Sequence, residues 1–102
     1  MSRKRPPQRR EAATIDVIHN NQRYHVSYGR YPSGELMEVF VHGAKVGSDV
    51  DSIACTGSTI LSIALQNGAS LKELQQASLR LDDGTPADFF GAVLDALAEE
   101  GE

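Results

Sequence analysis

The chain has 102 residues, of which 40% are hydrophobic and 24% are charged, a composition that is ordinary for one small globular domain. No apolar run approaches the ~20 residues that span a bilayer, and a single cysteine cannot form an internal disulfide. These features exclude a membrane-spanning helix and a disulfide framework. Because the charged N-terminus is not followed by an apolar stretch, we expect no secretory signal and a cytoplasmic location.

The formal net charge of −4 conceals an uneven distribution along the chain. All 14 acidic residues follow residue 10, so residues 11–102 carry five basic and 14 acidic groups, a formal charge of −9. With Pro6-Pro7 and almost no apolar side chains, residues 1–12 are predicted to be a disordered tail before a domain at 13–100. Half of the basic residues lie in that tail: Arg3, Lys4, Arg5, Arg9 and Arg10.

The tail has three open interpretations, namely a solubility or linker segment, a weak phosphate-binding segment and a contact for a partner protein. Any contact with nucleic acid would be made by the tail, because the acidic body repels phosphate. The tail contains no aromatic residues between its basic ones, and single-strand binding usually relies on such residues for stacking.

Alternating apolar and polar residues predict three antiparallel strands at about 14–19, 22–31 and 35–42. Asn20-Asn21 is a predicted tight turn, because asparagine tolerates positive φ, and Pro32-Ser33-Gly34 is a second turn. The result is a three-stranded meander with one face that must be covered.

Three helices are predicted at about 50–67, 71–80 and 86–99. Gly57 lies within the first helix and is expected to mark a close approach of another element. The second helix has a capping box at Ser70 and Glu73, and the third is expected to begin with Thr85 as N-cap and Pro86 at the first helical position. The fold class is therefore α+β. The apolar stripe of the first helix is expected to cover the sheet; its members are Ile53, Ala54, Gly57, Ile60, Leu61, Ala64 and Leu65.

The loop before the first helix is the candidate binding site of the sequence. It combines two glycines, a lysine, a nearby histidine and a free helix N-terminus, which suit an anionic group. The competing interpretation is that Lys45 is solvated, while Ser48 or Asp49 caps the helix and Asp51 complements its first turn. The residues of this candidate anion loop are His42, Gly43, Lys45, Gly47 and Ser48.

The sequence predicts no catalytic residues, no metal site and no cofactor. Cys55 lies beside the apolar helix stripe and is expected to be a buried small hydrophobe. His19, His25 and His42 come from three strand segments without the spacing of a metal motif.

Five short segments occur in the order typical of one family, beginning with a strand that ends in a Tyr-Gly turn. They resemble the C-terminal module of adenosylcobalamin-dependent ribonucleotide reductases, also found as stand-alone TSCPD domains. The resemblance spans about Tyr24 to Leu97, roughly three-quarters of the chain. The matching segments are Tyr28-Gly29-Arg30-Tyr31-Pro32-Ser33-Gly34, Leu36-Met37-Glu38-Val39-Phe40-Val41, Lys45-Val46-Gly47, Leu65-Gln66-Asn67-Gly68 and Leu71-Lys72-Glu73-Leu74.

The resemblance implies a non-catalytic accessory or regulatory binding module, with a ribonucleotide-reductase-type protein or a nucleotide-related ligand as its partner. The Thr-Ser-Cys-Pro-Asp signature of the family is missing, so no role of that motif is carried over. Nucleotide reduction needs a radical cysteine, a dithiol and a large barrel, whereas this chain has one cysteine, so we expect that it is not an enzyme. The alternative function is a small nucleic-acid-associated protein that contacts phosphate through its tail. A homo-oligomer is compatible with either function.

Overall fold

The computed structural model describes residues 12–43 and 47–101, and it confirms the predicted α+β class. The basic tail and Lys45 lie outside the described residues. Among those residues, no helix is long and apolar enough to cross a membrane. One antiparallel sheet has the strand order β1-β2-β3, and three helices follow it in the chain. The elements are β1 (Ala12–His19), β2 (Gln22–Arg30), β3 (Leu36–His42), α1 (Asp49–Gln66), α2 (Leu71–Ala77) and α3 (Phe89–Gly101).

Both predicted turns of the meander are confirmed. Asn20 and Asn21 have φ values of 52° and 65°, the left-handed pair that a two-residue hairpin requires. Gly34 has φ of 99° in the second turn. The β2–β3 register shifts between Gly29 and Arg30, which places Leu36 opposite Arg30.

The core lies between one face of the sheet and two helices. Val26 and Val41 are register partners, and both are fully buried with Val93 and Leu97 of α3. The Tyr24 ring stacks on a phenylalanine of α3, with centroids 4.7 Å apart. The buried cluster consists of Val17, Tyr24, Val26, Tyr28, Leu36, Val39, Val41, Ala54, Leu61, Leu65, Val93, Leu94 and Leu97.

Helix α1 lies along the outer edge of β3 and is bonded to it by side chains. Ser58 Oγ accepts a hydrogen bond from the Val41 amide at 2.8 Å. Ser62 Oγ accepts from the Val39 amide and donates to the carbonyl of the same residue, both at 3.0 Å. These edge bonds satisfy main-chain groups that an edge strand would otherwise leave without partners.

The ladder of edge bonds continues toward the start of β3, where Gln66 Nε2 donates to the Met37 carbonyl at 3.2 Å. Main-chain groups of residues 37, 39 and 41 of β3 are therefore bonded by side chains that are spaced four residues apart along one side of α1. Three polar residues of α1 thus bond the sheet edge, whereas the exposed Thr59 hydroxyl donates to the carbonyl one turn earlier, at Cys55.

The predicted buried stripe of α1 is partly wrong. Ala54, Leu61 and Leu65 are buried as expected, but Ile53 and Ile60 are 57% and 64% exposed. Three polar residues are buried in their place, namely Ser58, Ser62 and Gln66. The helix is rotated toward β3 because its hydroxyls and amide bond the strand edge.

Gly57 marks a close approach, as the sequence predicts. A Cβ placed on this glycine would lie 2.5 Å from Cε2 of Phe90, well inside van der Waals contact. Helices α1 and α3 therefore meet at Gly57, with the Phe90 ring against the backbone of α1. The Phe89 and Phe90 rings also contact each other, with centroids 4.6 Å apart.

The segment between α2 and α3 corrects two predicted boundaries. Helix α2 ends at Ala77, and α3 begins at Phe89, three residues after the predicted start. Thr85 is not an N-cap, because its amide and hydroxyl both bond Asp83 Oδ1, at 3.0 and 2.6 Å. Asp88 serves α3 instead, accepting from the Gly91 amide at 3.1 Å. Thr85 and Pro86 belong to a small turn.

Arg80 fastens that turn to α3. Its guanidinium bonds both carboxylate oxygens of Asp95, at 2.7 and 2.8 Å, and Gln75 Nε2 adds a third bond at 3.0 Å. The hydrogen bonds from Arg80 hold the pKa of Asp95 below its ordinary value, while the same pairing raises the pKa of Arg80.

Candidate functional site

The candidate site lies where β3 ends and α1 begins. His42 is the exposed last residue of β3, and the chain enters α1 through Gly47, whose φ is 82°. Ser48 is the N-cap of α1, and its Oγ accepts from the Asp51 amide at 3.2 Å, which confirms one of the two predicted caps. Asp49 and Asp51 both lie in the first turn.

Asp51 closes the connection between the two elements. Its Oδ1 accepts a hydrogen bond from the Gly43 amide at 3.3 Å. The amides of Gly43 and Asp51 therefore already have acceptors, which favours the capping interpretation of this loop. Anion binding by the candidate anion loop, from His42 to Ser48, stays a prediction, since Lys45 lies outside the described residues.

Three potential metal ligands converge at this junction. One ligand atom each from His42, Asp51 and Cys55 lies within 4.8 Å of the other two. We call these residues the three-ligand cluster. Cys55 is exposed, so its predicted burial is wrong; it lies on the border of the buried side of α1, where it faces the end of β3.

The sequence offers only a weak signal for this cluster. Asp51 and Cys55 are four residues apart and share one side of α1, as a helical ligand pair would. His42 is nine residues before Asp51, beyond a loop, and joins them only because α1 folds back along β3. A search for histidine and cysteine motifs of fixed spacing misses such a set.

The three histidines do not form a site with one another. His25 lies opposite His42 in the β2–β3 register, and its Nδ1 bonds Asp16 Oδ1 at 2.8 Å. Arg23 adds a looser contact to Asp16 at 3.7 Å. His19 lies at the end of β1, where its Nε2 is buried without a hydrogen-bond partner among the described residues.

A second feature is the side of α1 that faces away from the core. It exposes four aliphatic side chains together with Ser52, Thr56 and Thr59, and residues 52–71 contain no charged side chain. The exposed aliphatic residues run in a stripe from Val50 to Ile63, about 20 Å along the helix at 1.5 Å per residue. We call this stripe the α1 outer face; its exposed members are Val50, Ile53, Ile60 and Ile63.

A surface cleft of about 500 Å³ lies at the opposite end of α1, near its connection to α2. Glu35 is the one titratable residue that lines it, so the cleft lacks converging groups for acid–base chemistry. Its lining residues are Glu35, Leu36, Leu65, Gly68, Ala69, Ser70 and Leu71.

Comparison with known families gives a match over nearly all of the chain. The family model described as the TSCPD domain matches residues 1–99, essentially the whole chain. No curated protein and no solved structure matches the chain significantly.

Proposed function

The chain belongs to the TSCPD domain family, and we propose that it is a non-catalytic accessory module that docks onto a ribonucleotide-reductase-type protein through the α1 outer face. The TSCPD domain is associated with the C-terminal region of ribonucleotide reductases.

The α1 outer face carries the proposal. Ile53 and Ile60 expose more than half of their surface, and Val50 and Ile63 extend the same stripe. Burial of one isoleucine side chain is worth about 1.5–3 kcal/mol, so a partner that covers Ile53 and Ile60 would gain binding free energy from both. An amphipathic helix face of this kind is a common protein-recognition element.

Charge favours a protein partner over nucleic acid on this surface. The stripe is uncharged, while residues 11–102 carry a formal charge of −9. Phosphate groups approaching the body would be repelled, whereas an apolar groove rimmed by basic residues would be attracted. The proposed partner surface is therefore apolar at its centre and basic at its edge.

Cysteine content supports the non-catalytic part of the proposal. Reduction of a ribonucleotide requires a radical cysteine and a pair of thiols that becomes oxidised. This chain has one cysteine, Cys55, so it could neither form that pair nor regenerate it.

The test is calorimetric titration of the purified chain into the purified ribonucleotide reductase of the same organism. We expect saturable binding that Ile60→Glu weakens at least about 10-fold, because a carboxylate would be buried in an apolar contact. Leu79→Glu is the matched control, since Leu79 is 69% exposed but lies outside α1. The proposal fails if the wild-type chain shows no binding, or if Ile60→Glu and Leu79→Glu bind alike.

The alternative function depends on the tail alone. A chain lacking residues 1–10 should lose salt-dependent binding to DNA if the tail contacts phosphate, yet keep its affinity for the reductase if the α1 outer face is the docking surface. Loss of reductase binding in this truncated chain would contradict our assignment of the surface.

A further inference from the structure

We propose that His42, Asp51 and Cys55 form a Zn²⁺ site with three protein ligands and a fourth position that faces solvent. The inference is independent of the docking function, because it concerns the junction of β3 and α1 and not the α1 outer face. Three properties of the donor atoms support it: their proximity to one another, their chemical types and their combined charge.

The geometry is close to that of a tetrahedral site. Zinc lies about 2.0–2.3 Å from nitrogen, oxygen and sulfur ligands, so neighbouring ligand atoms in a tetrahedron are about 3.5 Å apart. The three donor atoms lie within 4.8 Å of one another, so the distances between them must shorten by about 1 Å to fit a tetrahedral zinc site. The exposed side chains of His42 and Cys55 can make this adjustment by rotation.

The donor set selects the metal. An imidazole, a carboxylate and a thiolate together suit a borderline-soft ion such as Zn²⁺, whereas Mg²⁺ and Ca²⁺ prefer oxygen ligands alone. With a neutral imidazole, the carboxylate and the thiolate balance the two positive charges of the ion. The acidic body adds a long-range attraction for cations.

The surroundings of Asp51 resemble the outer ligand sphere of known metal sites. The Gly43 amide bonds Oδ1 of Asp51 and fixes the orientation of its carboxylate. Because His42 precedes the loop and the other two ligands follow it, a bound ion would tie the end of β3 to the first two turns of α1.

Cobalt provides a direct spectroscopic test. The full-length reduced chain would be titrated with Co²⁺ as a substitute for Zn²⁺, and then with Zn²⁺ in competition. We expect one ion per chain, visible bands of tetrahedral intensity and a near-ultraviolet thiolate-to-metal band, all of which Zn²⁺ abolishes. Zn²⁺ should also raise the melting temperature, because it binds the folded chain, and a chelator should reverse the rise.

Four variants distinguish Zn²⁺ binding by the three-ligand cluster from nonspecific binding to other surface groups. Cys55→Ser should remove the thiolate band, and His42→Ala and Asp51→Asn should each weaken Zn²⁺ binding about 100-fold, by analogy with the 10–100-fold losses seen when even the supporting groups of metal sites are changed. Asp49→Asn is the matched control, since Asp49 lies in the same turn outside the cluster, and it should bind as the wild type does. Circular dichroism of each variant confirms that it folds.

Several outcomes would overturn the proposal. These are an octahedral cobalt spectrum without a thiolate band, a stoichiometry of one ion per two chains, or equal losses in Asp49→Asn and Asp51→Asn. Retention of the thiolate band in Cys55→Ser would have the same consequence, because the chain has no other cysteine.

Discussion

The contact between Gly57 and Phe90 allows a prediction in which the sign of a mutational effect depends on a second residue. At an exposed position inside a helix, Gly→Ala stabilises a protein by about 1 kcal/mol. At Gly57 the new methyl group would lie 2.5 Å from Cε2 of Phe90 and closer still to Cζ, so the ring must retreat by more than about 1 Å to regain the ~3.5 Å of normal contact. Overpacking of this kind costs about 1–3 kcal/mol, and the neighbouring Phe89 ring obstructs the retreat.

We therefore expect Gly57→Ala to lower the free energy of unfolding despite its helix propensity, and Gly57→Leu to lower it by more than about 2 kcal/mol. In a Phe90→Leu background, where the flat ring is gone, Gly57→Ala should become neutral or stabilising. The wild type, the two single variants Gly57→Ala and Phe90→Leu, and the double variant form a double-mutant cycle. Urea unfolding followed by far-ultraviolet circular dichroism gives the free energy of unfolding of each. Thermal unfolding gives the Tm, which falls by about 4–8 °C for a loss of about 1 kcal/mol. A rise in Tm for Gly57→Ala in the wild-type background would refute the reasoning.

Two further predictions concern hydrogen bonds that hold helices in place. Ser58→Ala leaves the buried Val41 amide without its acceptor, so it should lower the free energy of unfolding by about 1–3 kcal/mol and accelerate hydrogen exchange at that amide. The control is Thr59→Ala, which removes an exposed hydroxyl from the same helix and should change the free energy of unfolding by less than about 0.5 kcal/mol. Equal effects of the two changes would contradict the edge bonds. Because pairing with Arg80 lowers the folded-state pKa of Asp95, its contribution to stability is present above the ordinary aspartate pKa near 4 and is lost as the pH falls through the lower folded value. The wild type should accordingly be more stable than Asp95→Asn at pH 7, and the difference should shrink as the pH falls below about 4, whereas a difference that is constant with pH would argue against the ion pair.

Local patterns predicted the sheet and most helix boundaries well. The period of two in the strands, the Asn20-Asn21 turn and the capping box at Ser70 each depend on neighbouring residues, so one sequence is sufficient to read them. The start of the third helix was misplaced because Thr85-Pro86 has the chemistry of a helix start, but the Arg80–Pro86 bridge uses these residues in a turn.

Long-range features were harder to predict. Helix α1 is apolar on two sides, and hydropathy alone assigned Ile53 and Ile60 to the core. What decides the orientation is the bonding of Ser58 and Ser62 to main-chain groups of β3, which are invisible in the pattern of side chains. The three-ligand cluster depends on the same placement of α1 beside β3, so the candidate metal site was missed for the same reason.

The edge bonds between α1 and β3 also bear on how copies of this chain could aggregate. A sheet can extend from copy to copy into a fibre only if every copy has two open edge strands, because each copy must then pair with a neighbour on both sides. Here the β3 edge is occupied by serine and glutamine side chains, and β1 is the remaining edge strand of the described sheet. Pairing of β1 with β1 of a second copy would use the open edge of both, so main-chain association along the strands would end at a two-fold symmetric pair.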